Sequence, residues 1–264
     1  MRKNLIYGLL GIVVGMILMS LAKLEFNPLS NQLVNSVLWY QKSDEMKAIY
    51  LQNFNIAKSI VEMQALKNQN QKNLAVVVDI DETMLDNSPF EGMLIHRNKS
   101  FNSSLWNDWV SKEEAKALPG AVEFTQFAKS MNVEIFYISN RSINTLEHTI
   151  RNLQKQGFAY ADSSHVLLKT NTSDKTQRRE QVKSLYKVIL YIGDNMGDFG
   201  QEYSKIAKEY DSLSIHRNKQ LWGSYYIVMP NPMYGIWEYS LFPQRKKLSS
   251  LDKAIIKVKN IIGY

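Results

Sequence analysis

The amino-acid sequence predicts an α/β fold: a doubly wound parallel sheet with a smaller, mostly helical cap region. Short apolar runs rich in β-branched residues recur at 74–78, 133–138, 166–168 and 188–192, the pattern of strands buried on both faces. Helix-periodic segments lie between them, and strands that alternate with helices pair in parallel through crossovers. With 264 residues, 45% of them hydrophobic, the chain has enough apolar surface for a large core, which excludes a disordered or fibrous protein.

At the N-terminus, Arg2 and Lys3 precede an uncharged stretch over 5–22, which gives way to Lys23 and Glu25. Residues 1–25 therefore read as an export leader. Its length falls between a secretory apolar region and a spanning helix, so a cleaved signal peptide and a retained signal anchor both stay open. Ser20-Leu21-Ala22 fits a small-x-small cleavage site, while the length favours an anchor with its basic end in the cytoplasm. Either way the body, residues 26–264, is expected outside the cytoplasm, and a retained helix would make the membrane a partner.

Two helices are expected between 31 and 66, where Met46, Tyr50, Phe54, Ala57 and Val61 recur at helical spacing. Ser43, followed by Asp44 and Glu45, reads as the N-cap of the second. The sheet core is expected over about 73–212, with cap parts at about 30–72, 90–118 and 213–264. Between the strands, Pro119 opens one helix, a second covers 142–156 with Gly157 at its end, and a third covers 175–185. The segment 90–118, with Trp106 and Trp109, is too long for a plain loop and is expected to wall a pocket. After 210 come a strand near 225–229, the turn Pro230-Asn231-Pro232, and an amphipathic helix over about 249–262.

The chain has no cysteine, which excludes disulfides, a thiolate metal site and a lipid-modified cysteine behind the leader. The net charge of +7 is dispersed without a long basic block, so a nucleic-acid polymer is not the expected partner. His96, His148, His165 and His216 lack a paired ligand spacing.

Ligands of open parallel sheets bind beyond the carboxyl ends of the strands. At the first such end, Val78-Asp79-Ile80-Asp81-Glu82-Thr83, two carboxylates at i and i+2 lie on the same side of extended chain, and a hard divalent cation relieves their repulsion. At the second, Ser139-Asn140-Arg141, a hydroxyl and backbone N–H groups at an expected helix start form an anion seat. The third, Gly193-Asp194-Asn195-Met196-Gly197-Asp198, adds two carboxylates to the rim. Lys175, at another helix start, is placed to offset their charge.

The order DxDxT, serine, lysine, GDNxxDF resembles the haloacid dehalogenase (HAD) superfamily, and within it the class C acid phosphatases, which include the bacterial lipoprotein e type 5'-nucleotidases. The resemblance runs through Trp39-Tyr40-Gln41, Ser43, 79–89, 106–109, Pro119-Gly120-Ala121, 136–141 and 230–238, and covers nearly all of the chain after Asn31. It implies that Asp79 is the nucleophile and a magnesium ligand, and that Asp81 is the acid/base and binds the metal through its carbonyl. Asp194 is then the third metal ligand, and Asp198 stands behind the ligands and orients metal-bound water. Ser139 and the backbone of Asn140 hold the phosphate, Lys175 neutralises it, and Trp106 and Tyr234 stack the base of a nucleoside monophosphate. The expected substrate is a small phosphomonoester, a nucleoside monophosphate or aryl phosphate. It is hydrolysed through an aspartyl-phosphate, with Mg2+ as cofactor, in a bacterial envelope, periplasmic or anchored to the inner membrane, in a possible homodimer. A phosphotransferase of the same superfamily is the nearest alternative; a phosphoacceptor signalling domain and a non-enzymatic binding protein are further ones. The absent lipobox cysteine departs from the lipoprotein members, so outer-membrane anchoring does not carry over.

Overall fold

The computed structural model describes residues 28–68, 73–200, 203, 213–242 and 247–264. The leader expected over 1–25 lies outside the described residues; among them, no helix is long and apolar enough to cross a membrane.

Helices α1 (Pro28–Gln32), α2 (Val34–Lys42) and α3 (Asp44–Lys67) precede strand β1 (Leu74–Val78). A short antiparallel ribbon, β2 (Leu85–Asp86) with β3 (Lys116–Ala117), brackets α4 (Ser88–His96) and α5 (Ser103–Lys112). Next come α6 (Ala121–Ser130), β4 (Val133–Ser142), α7 (Leu146–Gln156), β5 (Val166–Lys169), α8 (Thr176–Lys183) and β6 (Lys187–Gly193). The chain continues through α9 (Leu213–Arg217), β7 (Tyr226–Val228), α10 (Ile236–Tyr239) and α11 (Ser250–Lys259).

The main sheet is parallel throughout, in the order β5-β4-β1-β6-β7. From β1 the chain winds outward to β4 and β5, then returns to the other side of β1 for β6 and β7. The reversal brings the carboxyl ends of β4, β1 and β6 side by side, which is where such sheets hold ligands. Side chains alternate between two apolar layers. Val76, Val78, Ile135 and Tyr137 point into one; Ala75, Val77, Phe136 and Ile138 point into the other.

Ser43 caps α3 by accepting from the Met46 amide at 3.1 Å. The helix buries Met46, Tyr50, Phe54, Ala57, Ile60 and Val61, and Phe54 stacks on Phe124 of α6 with ring centroids 5.5 Å apart. This stripe makes α3 a covering layer of the sheet, whereas the sequence reading had grouped it with the cap. Two further expectations shift. Strand β4 continues to Ser142 instead of stopping at Ile138. Its pairing with β5 becomes irregular between Ser139 and Ser142, and a 3-10 turn (Ile143–Thr145) precedes α7. The helix near Pro119 begins at Ala121, after Gly120 at φ +81°; a side chain there would be strained and pressed against Phe54.

Candidate active site

Asp79 directly follows β1, and its amide donates to the Ile192 carbonyl of β6 at 2.9 Å. That ladder bond fixes the end of β1 beside Asp194, the residue after β6. Ligand atoms of Asp79, Asp194 and Asp198 lie within 4.8 Å of one another. Lys175, just ahead of α8, reaches into the same space: its Nζ donates to Asp79 Oδ1 and, at 2.6 Å, to Asp198 Oδ1. Asp79, Lys175 and Asp198 are all buried.

Two buried carboxylates on one ammonium, with half-buried Asp194 beside them, leave an excess of negative charge. Burial, aided by the charges of Asp198 and Asp81, pushes the Asp79 carboxyl up to about 7 against the pull of Lys175. Asp194 is raised well above its ordinary range by burial and by the charges of Asp79 and Asp198, despite a 2.8 Å bond from Asn231 Nδ2. Burial alone would lower the Lys175 ammonium, but Asp198 and Asp79 outweigh it and hold the proton. An all-oxygen donor set with surplus negative charge fits a hard divalent cation. Asp198 has both oxygens committed, Oδ1 to Lys175 and Oδ2 to the Asn195 amide at 3.0 Å. Gly193 makes room for it, since a Cβ there would fall inside contact distance of the Asp198 side chain.

The carboxylate of Asp81 turns away from this cluster, contrary to the expectation that the 79 and 81 carboxylates flank one ion. It accepts from Ser139 Oγ at 2.9 Å, Asn87 Nδ2 at 3.0 Å and Arg141 Nε at 2.9 Å. Asn87 is itself held by Trp109, whose Nε1 donates to Asn87 Oδ1 at 2.9 Å. Ser139 Oγ also accepts the Arg141 amide at 3.1 Å. The second strand end is thus a kinked strand and not the helix N-terminus expected from the sequence.

Asn140 is exposed. The Ser139 carbonyl and the Asn140 side chain are gripped by Arg178, through Nη1 at 2.5 Å and Nη2 at 2.7 Å. The peptide is trans, so bonding its carbonyl to Arg178 aims the Asn140 N–H the opposite way. Trp106 is half-buried at the rim, edge-on to Phe90 with centroids 5.0 Å apart and 5.8 Å from the Arg141 guanidinium. Tyr234 is also half-buried, its amide 3.4 Å from Asn231 Oδ1 on the loop that bonds Asp194.

Sequence reasoning assigned no role to Arg141, Asn87, Arg178 or Asn231. Arg178 carried a signal, being one helical turn beyond Lys175 on the same face. Arg141 and Asn231 act through long-range pairings that spacing does not encode, and Asn87 reaches Asp81 across a turn of six residues.

A family description, "HAD superfamily, subfamily IIIB (Acid phosphatase)", matches residues 20–237. The class C acid phosphatase from Bacillus anthracis superposes with a TM-score of 0.84 at 38% identity, covering 90% of this chain and 99% of that one. A crystal structure of that organism's class C acid phosphatase with tungstate bound gives 0.84 at 37% identity, with the same coverage. Among curated proteins, a stem 31 kDa glycoprotein of Glycine max is 28% identical over 166 residues. Acid phosphatase 1 of Solanum lycopersicum is 26% identical over 168 residues. The aligned regions cover 61% of this chain and 59% and 58% of those two plant proteins.

Proposed function

The chain belongs to the HAD superfamily, subfamily IIIB, the acid phosphatases, and from that premise we propose that it is an exported, magnesium-dependent phosphomonoesterase acting on nucleoside monophosphates and aryl phosphates. The observation that carries this reading is the cluster of Asp79, Asp194 and Asp198 beyond adjacent strand ends, with the buried Lys175 ammonium paired to Asp79 and Asp198.

In the proposed reaction, Asp79 attacks phosphorus in line through a carboxylate oxygen while the bond to the leaving alcohol breaks. Asp81 gives that alcohol its proton, which fits a mildly acidic optimum, then takes a proton from the water that hydrolyses the aspartyl-phosphate. Inorganic phosphate leaves, and both carboxyl groups return to their starting states. Lys175, Ser139 and the Asn140 N–H orient the phosphoryl oxygens. Asp79, Asp194 and the Asp81 carbonyl are the proposed holders of Mg2+, with Asp198 behind them because its oxygens are already committed. When bound, the ion supplies positive charge against the phosphoryl oxygens.

Trp106 and Tyr234 are the proposed stacking partners for a nucleobase, being half-buried aromatics at the rim. Export rests on Arg2, Lys3 and the uncharged stretch 5–22; it places the protein in a bacterial envelope, periplasmic or tethered by the leader. A homodimer rests on the resemblance alone. Phosphate release from a panel of nucleotides and aryl phosphates, with magnesium and after chelation, tests the proposal. Turnover with magnesium and loss on chelation are expected; activity indifferent to chelation defeats the metal assignment, and transfer to added alcohols in place of hydrolysis would make the protein a phosphotransferase.

A further inference from the structure

We propose that α11 is a membrane-surface helix that lays its outer face on an anionic lipid bilayer. The inner face packs on the fold. Ala254 is buried and its carbonyl accepts from Gln32 Nε2 of α1 at 3.1 Å, Lys257 pairs with Glu238 at 2.6 Å, and Lys253 lies 5.7 Å from the Phe242 ring centroid. Ser249 and Asp252 form a capping box at its start. Folding therefore explains one side of the helix and leaves the other unexplained.

On that other side Leu251, Ile255 and Val258 are 58%, 43% and 59% exposed. Positions i, i+4 and i+7 lie along one stripe of a helix. Three large aliphatic side chains in a row facing water form an exposed apolar stripe, the kind that marks a contact surface.

The rim of the stripe selects the occupant. Exposed Lys247 stands three residues before the helix and exposed Lys259 ends it, and Asp252 is the sole acidic residue in the sequence from 245 to 264, which also holds Arg245 and Lys246. A basic amphipathic helix with an aliphatic face matches the headgroup region of an anionic bilayer. A second copy of the chain would set one basic rim against another. Position agrees with charge: α1 packs on α11, and the uncharged stretch 5–22 ends six residues before α1 starts at Pro28. Six residues span at most about 20 Å of extended chain, so a bilayer holding that stretch lies close to this helix. This last argument rests on the leader reading above; the stripe and its basic rim do not.

The chain lacks cysteine, so one introduced thiol takes an environment-sensitive fluorophore at a single place. The full chain is labelled at Ile255→Cys, or separately at Val14→Cys in the leader, and added to vesicles of phosphatidylglycerol or of phosphatidylcholine. With phosphatidylglycerol, emission from position 255 is expected to rise several-fold, shift to the blue and be quenched by headgroup-level nitroxide lipid. The gain should be much smaller with phosphatidylcholine. Leu251→Ser with Val258→Ser should abolish the rise at 255 and spare activity. Unchanged emission at 255 while position 14 reports lipid overturns the surface helix and leaves the leader reading intact. A response at 255 without one at 14 supports the helix and defeats the leader as anchor. A blue shift at 255 that needs no lipid and grows with protein concentration overturns the proposal in favour of a second copy.

Discussion

Arg141 meets one oxygen of the Asp81 carboxylate with two nitrogens, Nε and Nη2, each at 2.9 Å. The arginine is 1% exposed, so the pair is shielded from the screening that weakens surface ion pairs. Together with Ser139 and Asn87 it sets where the Asp81 carboxylate rests.

If that resting place prepares Asp81 for proton transfer, Arg141→Met should slow the reaction most where the leaving alcohol needs a proton. Turnover of alkyl phosphates should fall by about 10²-fold, and that of nitrophenyl phosphate, whose leaving group needs little help, by much less. Arg141→Lys should recover only part of the loss, because an ammonium does not reproduce the paired guanidinium contact. Equal losses on both substrates would assign Arg141 a purely structural role.

Lys175 is the cation between Asp79 and Asp198. Its replacement by Ala leaves two buried carboxylates unpaired, and removing one partner of a buried ion pair costs about 3–5 kcal/mol. Denaturant unfolding in chelator should show that loss, with the midpoint lowered and the slope unchanged. A midpoint at the wild-type value would contradict the charge balance described for the site.

Arg178 grips the Ser139 carbonyl and the Asn140 side chain. Arg178→Ala frees the peptide whose N–H faces the other way, and inhibition by inorganic phosphate should weaken about tenfold, equivalent to about 1.4 kcal/mol. A variant with wild-type phosphate inhibition would show that the peptide keeps its orientation unaided.

Glu91 is buried on α4, and burial, then the charge of Glu238, pushes its carboxyl up from 4.5 to about 7. The folded protein binds this proton more tightly than the unfolded chain does. The contribution is therefore complete below about pH 4.5 and is lost as pH rises to about 7, a change of about 3 kcal/mol. Glu91→Gln should gain on the wild type across that window, in unfolding curves taken at several pH values. A stability difference independent of pH would contradict the raised value.

Much of this was legible in the sequence because it depends on local pattern. The run Leu74–Val78 announced a strand buried on both faces, and it is one; Ser43 announced a helix start and bonds the Met46 amide. The strand-end position of Asp79 and Asp194 followed from where the apolar runs stop, and the place of Lys175 from an expected helix start. What stayed hidden depends on side chains finding partners far along the chain. The turn of Asp81 towards Arg141 spans 60 residues, and the support of Asn87 by Trp109 spans 22; neither has a spacing signature. The continuation of β4 through Ser142 was missed because Ser139, Asn140 and Arg141 read as a polar strand end, while in the fold Ser139 and Arg141 are buried by their own polar contacts.

The central claim is that the Asp79 carboxylate bonds phosphorus. Phosphate release by Asp79→Asn, measured with magnesium alongside circular dichroism of the same sample, tests it most directly. Loss of turnover with an unchanged spectrum is expected; release at the wild-type rate from the folded variant would contradict the mechanism.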